Sequence, residues 1–76
     1  GVNGVTISQG FTTPDPEEAA VKALAASRAQ EVFVVADSSK FGRVTAAVMF
    51  SIGSAVIITD RLPDPGYREY TDIREV

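Results

Sequence analysis

The sequence predicts an α/β fold, a partial parallel sheet with flanking helices. Three observations predict it. Two short apolar runs, Val32-Phe33-Val34-Val35-Ala36 and Ala55-Val56-Ile57-Ile58-Thr59, are rich in β-branched residues and stop at polar turn residues, the form of strands buried in a parallel sheet. The stretch before the first run carries a complete set of helix-start signals.

Taken in order, Gly1-Val2-Asn3-Gly4-Val5-Thr6-Ile7 reads as a strand running into a turn, and Ser8-Gln9-Gly10-Phe11-Thr12-Thr13 as a polar turn carrying one aromatic. At Asp15-Pro16-Glu17-Glu18, Asp15 suits the N-cap, Pro16 the first helical position, and Glu18 the third place of a capping box. Both glutamates complement the positive end of the helix dipole. The helix is expected from Pro16 to about Ala29, with Val21, Leu24 and Ala25 as its apolar stripe and Glu18 paired with Lys22 on another face. Its many alanines make it thin enough to lie close to a sheet.

Strand, helix and the strand at 32–36 then form one parallel unit with a right-handed crossover. Residues 43–54 fit a helix through Val44, Ala47, Val48 and Ser51, with Gly53 as its stop, although the β-branched residues and Phe50 leave a strand open. Beyond Asp60, Leu62-Pro63-Asp64-Pro65-Gly66 is a turn cluster, 67–70 a short helical turn and 73–76 an extended piece.

Composition narrows the function. The chain has 76 residues, a net charge of −3 and no Lys/Arg cluster along a helix face, so a nucleic-acid-binding surface is not expected within it. It contains neither cysteine nor histidine, which removes disulfides, most zinc sites and most nucleophile triads, and no cofactor or metal is expected. No apolar run nears the roughly 18 residues of a membrane helix and the first residues lack the charged-then-apolar form of a signal peptide, so a cytoplasmic location and no membrane partner are expected.

The chain opens inside what reads as a strand, so a fragment or an excised subdomain is expected. At this size its single core is marginal, since about 60 residues bury only about 60% of their unfolded surface. An exposed face or edge, covered by another chain or by the absent part of this one, is the expected consequence.

In open parallel sheets ligands gather where strands end. Those ends carry Asn3 and Gly4, then Asp37-Ser38-Ser39-Lys40, then Thr59 and Asp60. Lys40 sits where an anion would be held, and Thr12-Thr13-Pro14-Asp15 adds hydroxyls and the free N–H groups of a helix start. One cation, several hydroxyls and a helix end suggest a phosphorylated polyol or sugar. Plainer readings stand beside this one: Lys40 as a solvated loop residue, Asn3 and Gly4 as a turn, Asp15 and Glu18 as caps, and Asp60 as a strand-end turn former. Neither GxGxxG nor GxxxxGK[ST] occurs.

The blocks Gly1-Val2-Asn3-Gly4, Gly10-Phe11-Thr12-Thr13-Pro14-Asp15, Glu18-Ala19-Ala20-Val21-Lys22, Ala36-Asp37-Ser38-Ser39-Lys40-Phe41-Gly42-Arg43 and Ile58-Thr59-Asp60 together resemble the carboxy-terminal sensor domain of the DeoR family of bacterial transcriptional repressors. The resemblance covers nearly the whole chain. It implies a phosphosugar-isomerase-like fold, of the ribose-5-phosphate isomerase and glucosamine-6-phosphate deaminase type, that binds a sugar phosphate or similar effector.

It also implies that DNA is bound only through an absent amino-terminal helix-turn-helix, that the first half of the sensor is absent too, and that the protein is a homo-oligomer. By the same resemblance Lys40 takes the place of a ligand-contacting lysine, Asn3 and Gly4 lie in the loop that carries acid/base residues in the related enzymes, and Thr12, Thr13, Asp15, Glu18 and Lys22 fall in the helix-start segment where ligand is expected. The sequence departs from the family at Phe50-Ser51-Ile52-Gly53-Ser54-Ala55, where a Pro-Leu-Ser type turn and an acidic residue are common.

The leading expectation is therefore an effector-sensing domain and not an enzyme. A phosphosugar isomerase or deaminase fragment is the alternative, in which Asp37, Asp60 or Glu18 would need a raised pKa to act as the base. A purely structural oligomerisation domain is the third.

Overall fold

The computed structural model describes residues 1–76. Its strands are β1 (Gly4–Thr6), β2 (Gly10–Thr13), β3 (Phe33–Val35), β4 (Ala47–Phe50), β5 (Val56–Thr59) and β6 (Ile73–Glu75). One helix, α1 (Pro16–Arg28), separates β2 from β3, and 3₁₀ turns form at Ser38–Lys40 and Pro65–Glu69. The strands make two sheets. In β1-β2-β4 all pairs are antiparallel, and in β3-β5-β6 all are parallel. The fold is thus mixed α/β, with the expected parallel sheet but with an antiparallel one beside it.

The antiparallel sheet corrects two expectations. Residues 10–13 form a strand and not a turn, because Phe11 and two β-branched threonines favour a pleated, buried setting. The reversal is confined to Ile7, Ser8 and Gln9, closed by the Gln9 N–H on Thr6 Oγ1 (3.0 Å) and by Gly10 at φ +73°. Since β2 folds back on β1, the strand before α1 is antiparallel to its neighbours, and the first strand-helix-strand unit does not close as one parallel crossover. A single parallel bridge, Val5 with Phe41, joins β1 to the loop after β3.

Residues 43–54 likewise contain no helix: Ala47–Phe50 form β4, flanked by loop and turn. The open edge of β2 pairs with it, and Val48 and Phe50 suit that edge better than a helix. Gly53, expected to stop a helix, instead turns the chain into β5 at φ +91°.

Asp15 caps α1 as expected, accepting from the N–H groups of Glu17 (2.9 Å) and Glu18 (3.4 Å). The Glu18 carboxylate pairs with Lys22 at 2.8 Å. The apolar stripe is placed differently. Val21 and Leu24 are 69% and 55% exposed, and Ala19 is the buried residue of the helix. Alanine side chains let α1 approach β4 and β2 closely, where a valine and leucine face would hold it away.

One core runs through both sheets. Val5 and Phe11 from the antiparallel sheet meet Val34, Ile57 and Ile73 from the parallel one, with Met49, Ala55 and Tyr67 filling between them. Phe11 stacks tilted on Phe50 and Phe41 edge-on to Tyr67, each pair at 5.0 Å. The parallel sheet is covered on this face alone. Phe33 and Val35 point the other way, 49% and 64% exposed, so β3 is buried on one side and not on both. The expected exposed face is present. No helix is long and apolar enough to cross a membrane.

Candidate functional site

Asp37-Ser38-Ser39-Lys40 leaves β3 as a single 3₁₀ turn. Asp37 begins it by accepting from the Ser39 N–H at 2.9 Å and from the Ser39 hydroxyl. Across the sheet, one oxygen of Asp60 accepts from the N–H groups of Ser38 (2.9 Å) and Arg61 (2.9 Å) and from the Thr59 hydroxyl (3.3 Å). Asp60 therefore ties the loop after β5 to the loop after β3. A small hollow of about 240 Å³ opens at this margin, bordered by Asp37, Thr59, Asp60 and Val76.

Both carboxylates are held below the ordinary carboxylate range. For Asp37 the main cause is the Ser39 hydroxyl, then the Ser39 N–H, with Lys40 and Arg43 adding attraction and partial desolvation opposing. For Asp60 it is the Ser38 N–H, again against desolvation. Glu75, at the end of β6, is lowered by the Leu62 N–H and then by Arg68, whose guanidinium lies 2.7 Å away. Such groups accept hydrogen bonds well and take protons poorly.

From Lys40 the chain passes over the β1-β2 hairpin. The Gly42 N–H donates to the Val5 carbonyl (2.8 Å) and the Thr45 N–H to Thr12 Oγ1 (3.1 Å). Gly4 lies beneath the Arg43 carbonyl, where a Cβ would collide with that carbonyl and with the Thr12 hydroxyl. The Thr13 hydroxyl donates to Asn3 Oδ1 at 3.4 Å. Asn3, Gly4, Thr12 and Thr13 are thus brought together under the 40–45 loop, with both threonine side chains buried. The half-buried Lys40 forms no ion pair, the cations of the three ion pairs being Lys22, Arg68 and Arg74.

Asp15, Glu18 and Lys22 are placed elsewhere, on α1. Asp15 serves the helix start, and Lys22, besides its pair with Glu18, donates to the Gly1 carbonyl at 3.1 Å. Lys22 also borders the largest hollow, about 290 Å³, which lies between α1 and β3.

Thr45 carries no motif and was not legible as a site residue, yet its N–H holds the loop and its buried hydroxyl lacks a partner. Asp60 was legible from its place at a parallel strand end, whereas its three-donor clamp was not. No group of three or more His, Cys, Asp or Glu residues could hold a metal ion.

Comparison with known proteins places this geometry in context. Residues 1–61 match the family described as the DeoR C terminal sensor domain. An "Uncharacterized HTH-type transcriptional regulator FruR" of Bacillus subtilis is 43% identical over 79 residues, covering 100% of this chain and 32% of that protein. The "HTH-type transcriptional regulator GlpR" of Haloferax volcanii is 37% identical over 70 residues, 91% of this chain and 28% of that protein. The "Deoxyribose operon repressor" of Escherichia coli K12 is 35% identical over 74 residues, 96% of this chain and 29% of that protein. The chain therefore spans about a third of the length of these relatives.

Proposed function

Because this chain belongs to the DeoR family of C-terminal sensor domains, we propose that it is the effector-sensing part of a cytoplasmic DNA-binding repressor, binding a phosphorylated sugar or similar metabolite. The finer fold assignment, phosphosugar-isomerase-like, belongs to the same proposal, as do a homo-oligomeric state and DNA contact through a separate helix-turn-helix. The observation that carries the reading is Lys40. It is an unpaired, half-buried cation at the carboxyl margin of a parallel strand, on the loop that covers Asn3, Gly4, Thr12 and Thr13.

The proposed roles follow from what each group has left to offer. Lys40 meets the phosphate as a point charge, Asn3 offers its exposed amide to a sugar, and the buried Thr13 hydroxyl holds that amide in place. Gly4 and Thr12 shape the floor. Asp15, Glu18 and Lys22 stand apart from this cluster on α1, where Asp15 caps the helix and Glu18 pairs with Lys22. Asp37 and Asp60 position the Lys40 turn by accepting from its serines.

Sensing needs a difference in ligand affinity between two conformations, and no base. Isomerisation needs a base near neutrality, whereas Asp37 and Asp60 are shifted the opposite way. This supports the sensor reading over the enzyme one.

The test is a thermal-shift screen of the intact protein with pentose and hexose phosphates at millimolar concentration, followed by Lys40→Ala. A ligand that binds only the folded state raises its melting temperature. Loss of the charged contact should weaken the best ligand about tenfold or more. A screen in which no sugar phosphate shifts the melt, or a variant that binds as tightly as the parent, would refute the proposal.

A further inference from the structure

We infer that the outward face of α1 docks on the same face of a second copy of this chain, the two helices running antiparallel about a two-fold axis. The inference rests on the homo-oligomeric part of the proposal above and not on effector binding.

The helix has two unlike sides. Ala19 is buried and Lys22, Ala23 and Ala26 are partly buried, the side turned to β2 and β4. On the opposite side Glu17, Val21, Leu24 and Arg28 are all exposed, and at about 100° per residue they fall within about 60° of one another around the axis. Their spacing, four then three then four, is that of a two-helix seam. Val21 and Leu24 make its apolar middle, and the ion pairs of the chain use neither Glu17 nor Arg28. Ala20 and Ala25 flank the stripe with side chains short enough to let another helix approach.

The order of the stripe selects the occupant. It runs acid, apolar, apolar, base, with Val21 and Leu24 equally far from its middle and Glu17 and Arg28 likewise. An antiparallel copy therefore sets Val21 on Leu24 of the second copy and Glu17 against its Arg28, and symmetry makes each contact twice. A parallel copy would set like charge on like charge. Antiparallel order also brings the positive end of each helix beside the negative end of the other. An unrelated segment would have to supply the same four residue types in reverse order, which the chain's own helix already carries.

Cysteine cross-linking in the intact protein tests the surface. Glu17 and Arg28 are about 16 Å apart along one helix, beyond the roughly 7 Å that a disulfide spans, and this segment has no cysteine of its own. On mild oxidation the double variant Glu17→Cys/Arg28→Cys is expected to give a covalent dimer and each single variant none, since residue 17 faces residue 28 of the other copy. No dimer from the double variant, the result if another part of the chain covers this face, overturns the proposal, as does equal dimer from a single variant.

Sedimentation gives a second reading free of introduced cysteine. Glu17→Arg and Arg28→Glu should each weaken association about tenfold, and the two together should restore it. Association that neither variant weakens, or that the pair does not restore, also overturns the proposal. A parent that sediments as a monomer overturns the homo-oligomeric reading as well, whereas a parent that self-associates without the cross-link overturns this surface alone.

Discussion

Gly4 is a residue at which a distant segment, the loop at Arg43, approaches closely. Its missing Cβ admits the Arg43 carbonyl and the Thr12 hydroxyl, and the Thr12 hydroxyl in turn takes the Thr45 N–H. Gly4→Ala should therefore destabilise the fold by about 1–3 kcal/mol, the usual range for overpacking, read as a lower denaturant midpoint at constant slope. An unchanged midpoint would mean that the loop does not rest on Gly4. Sequence showed a glycine beside an asparagine, which serves a turn equally well. The close approach comes from residues about forty positions away, and no local pattern encodes it.

At the scale of elements, α1 is the clearest case of local chemistry setting structure. The Asp15 carboxylate, Pro16 and the early glutamates start the helix where sequence places it, because all of these act within one turn. Asp15→Ala should cost about 1 kcal/mol of stability through the lost cap. The same variant separates two roles. Unchanged effector affinity restricts Asp15 to capping, and weakened affinity in a still-folded protein adds ligand contact. Which face of α1 is buried was not legible. The Val21 and Leu24 stripe looked like the core face, yet close packing on β2 and β4 selected the alanines. Residues 43–54 were ambiguous for a related reason: their apolar spacing fits both periods, and the open edge of β2 decided for strand.

For the whole molecule, three carboxylates act together on acid stability. Asp37, Asp60 and Glu75 have folded pKa values below their ordinary values of 3.8, 3.8 and 4.5. The unfolded chain thus binds protons first, and the stabilisation is complete above those ordinary values and lost as pH falls through the folded ones. Thermal melts should stay level from about pH 7 to 5 and drop below about pH 4, with Asp60→Asn showing a shallower drop. A profile level to pH 3 would show that these hydrogen bonds do not contribute. Sequence by itself determined the helix start, the two apolar parallel strands, the turns after them and the family, because each is written in neighbouring residues or in the order of short blocks. Only the tertiary structure decided that β2 turns back on β1, that 47–50 pairs as a strand, and that Asn3, Gly4, Thr12 and Thr13 meet under the Lys40 loop while Glu18 and Lys22 stand apart. Pairing partners and buried faces are chosen by which distant surfaces are open to be covered, and that choice exists only once the chain has folded.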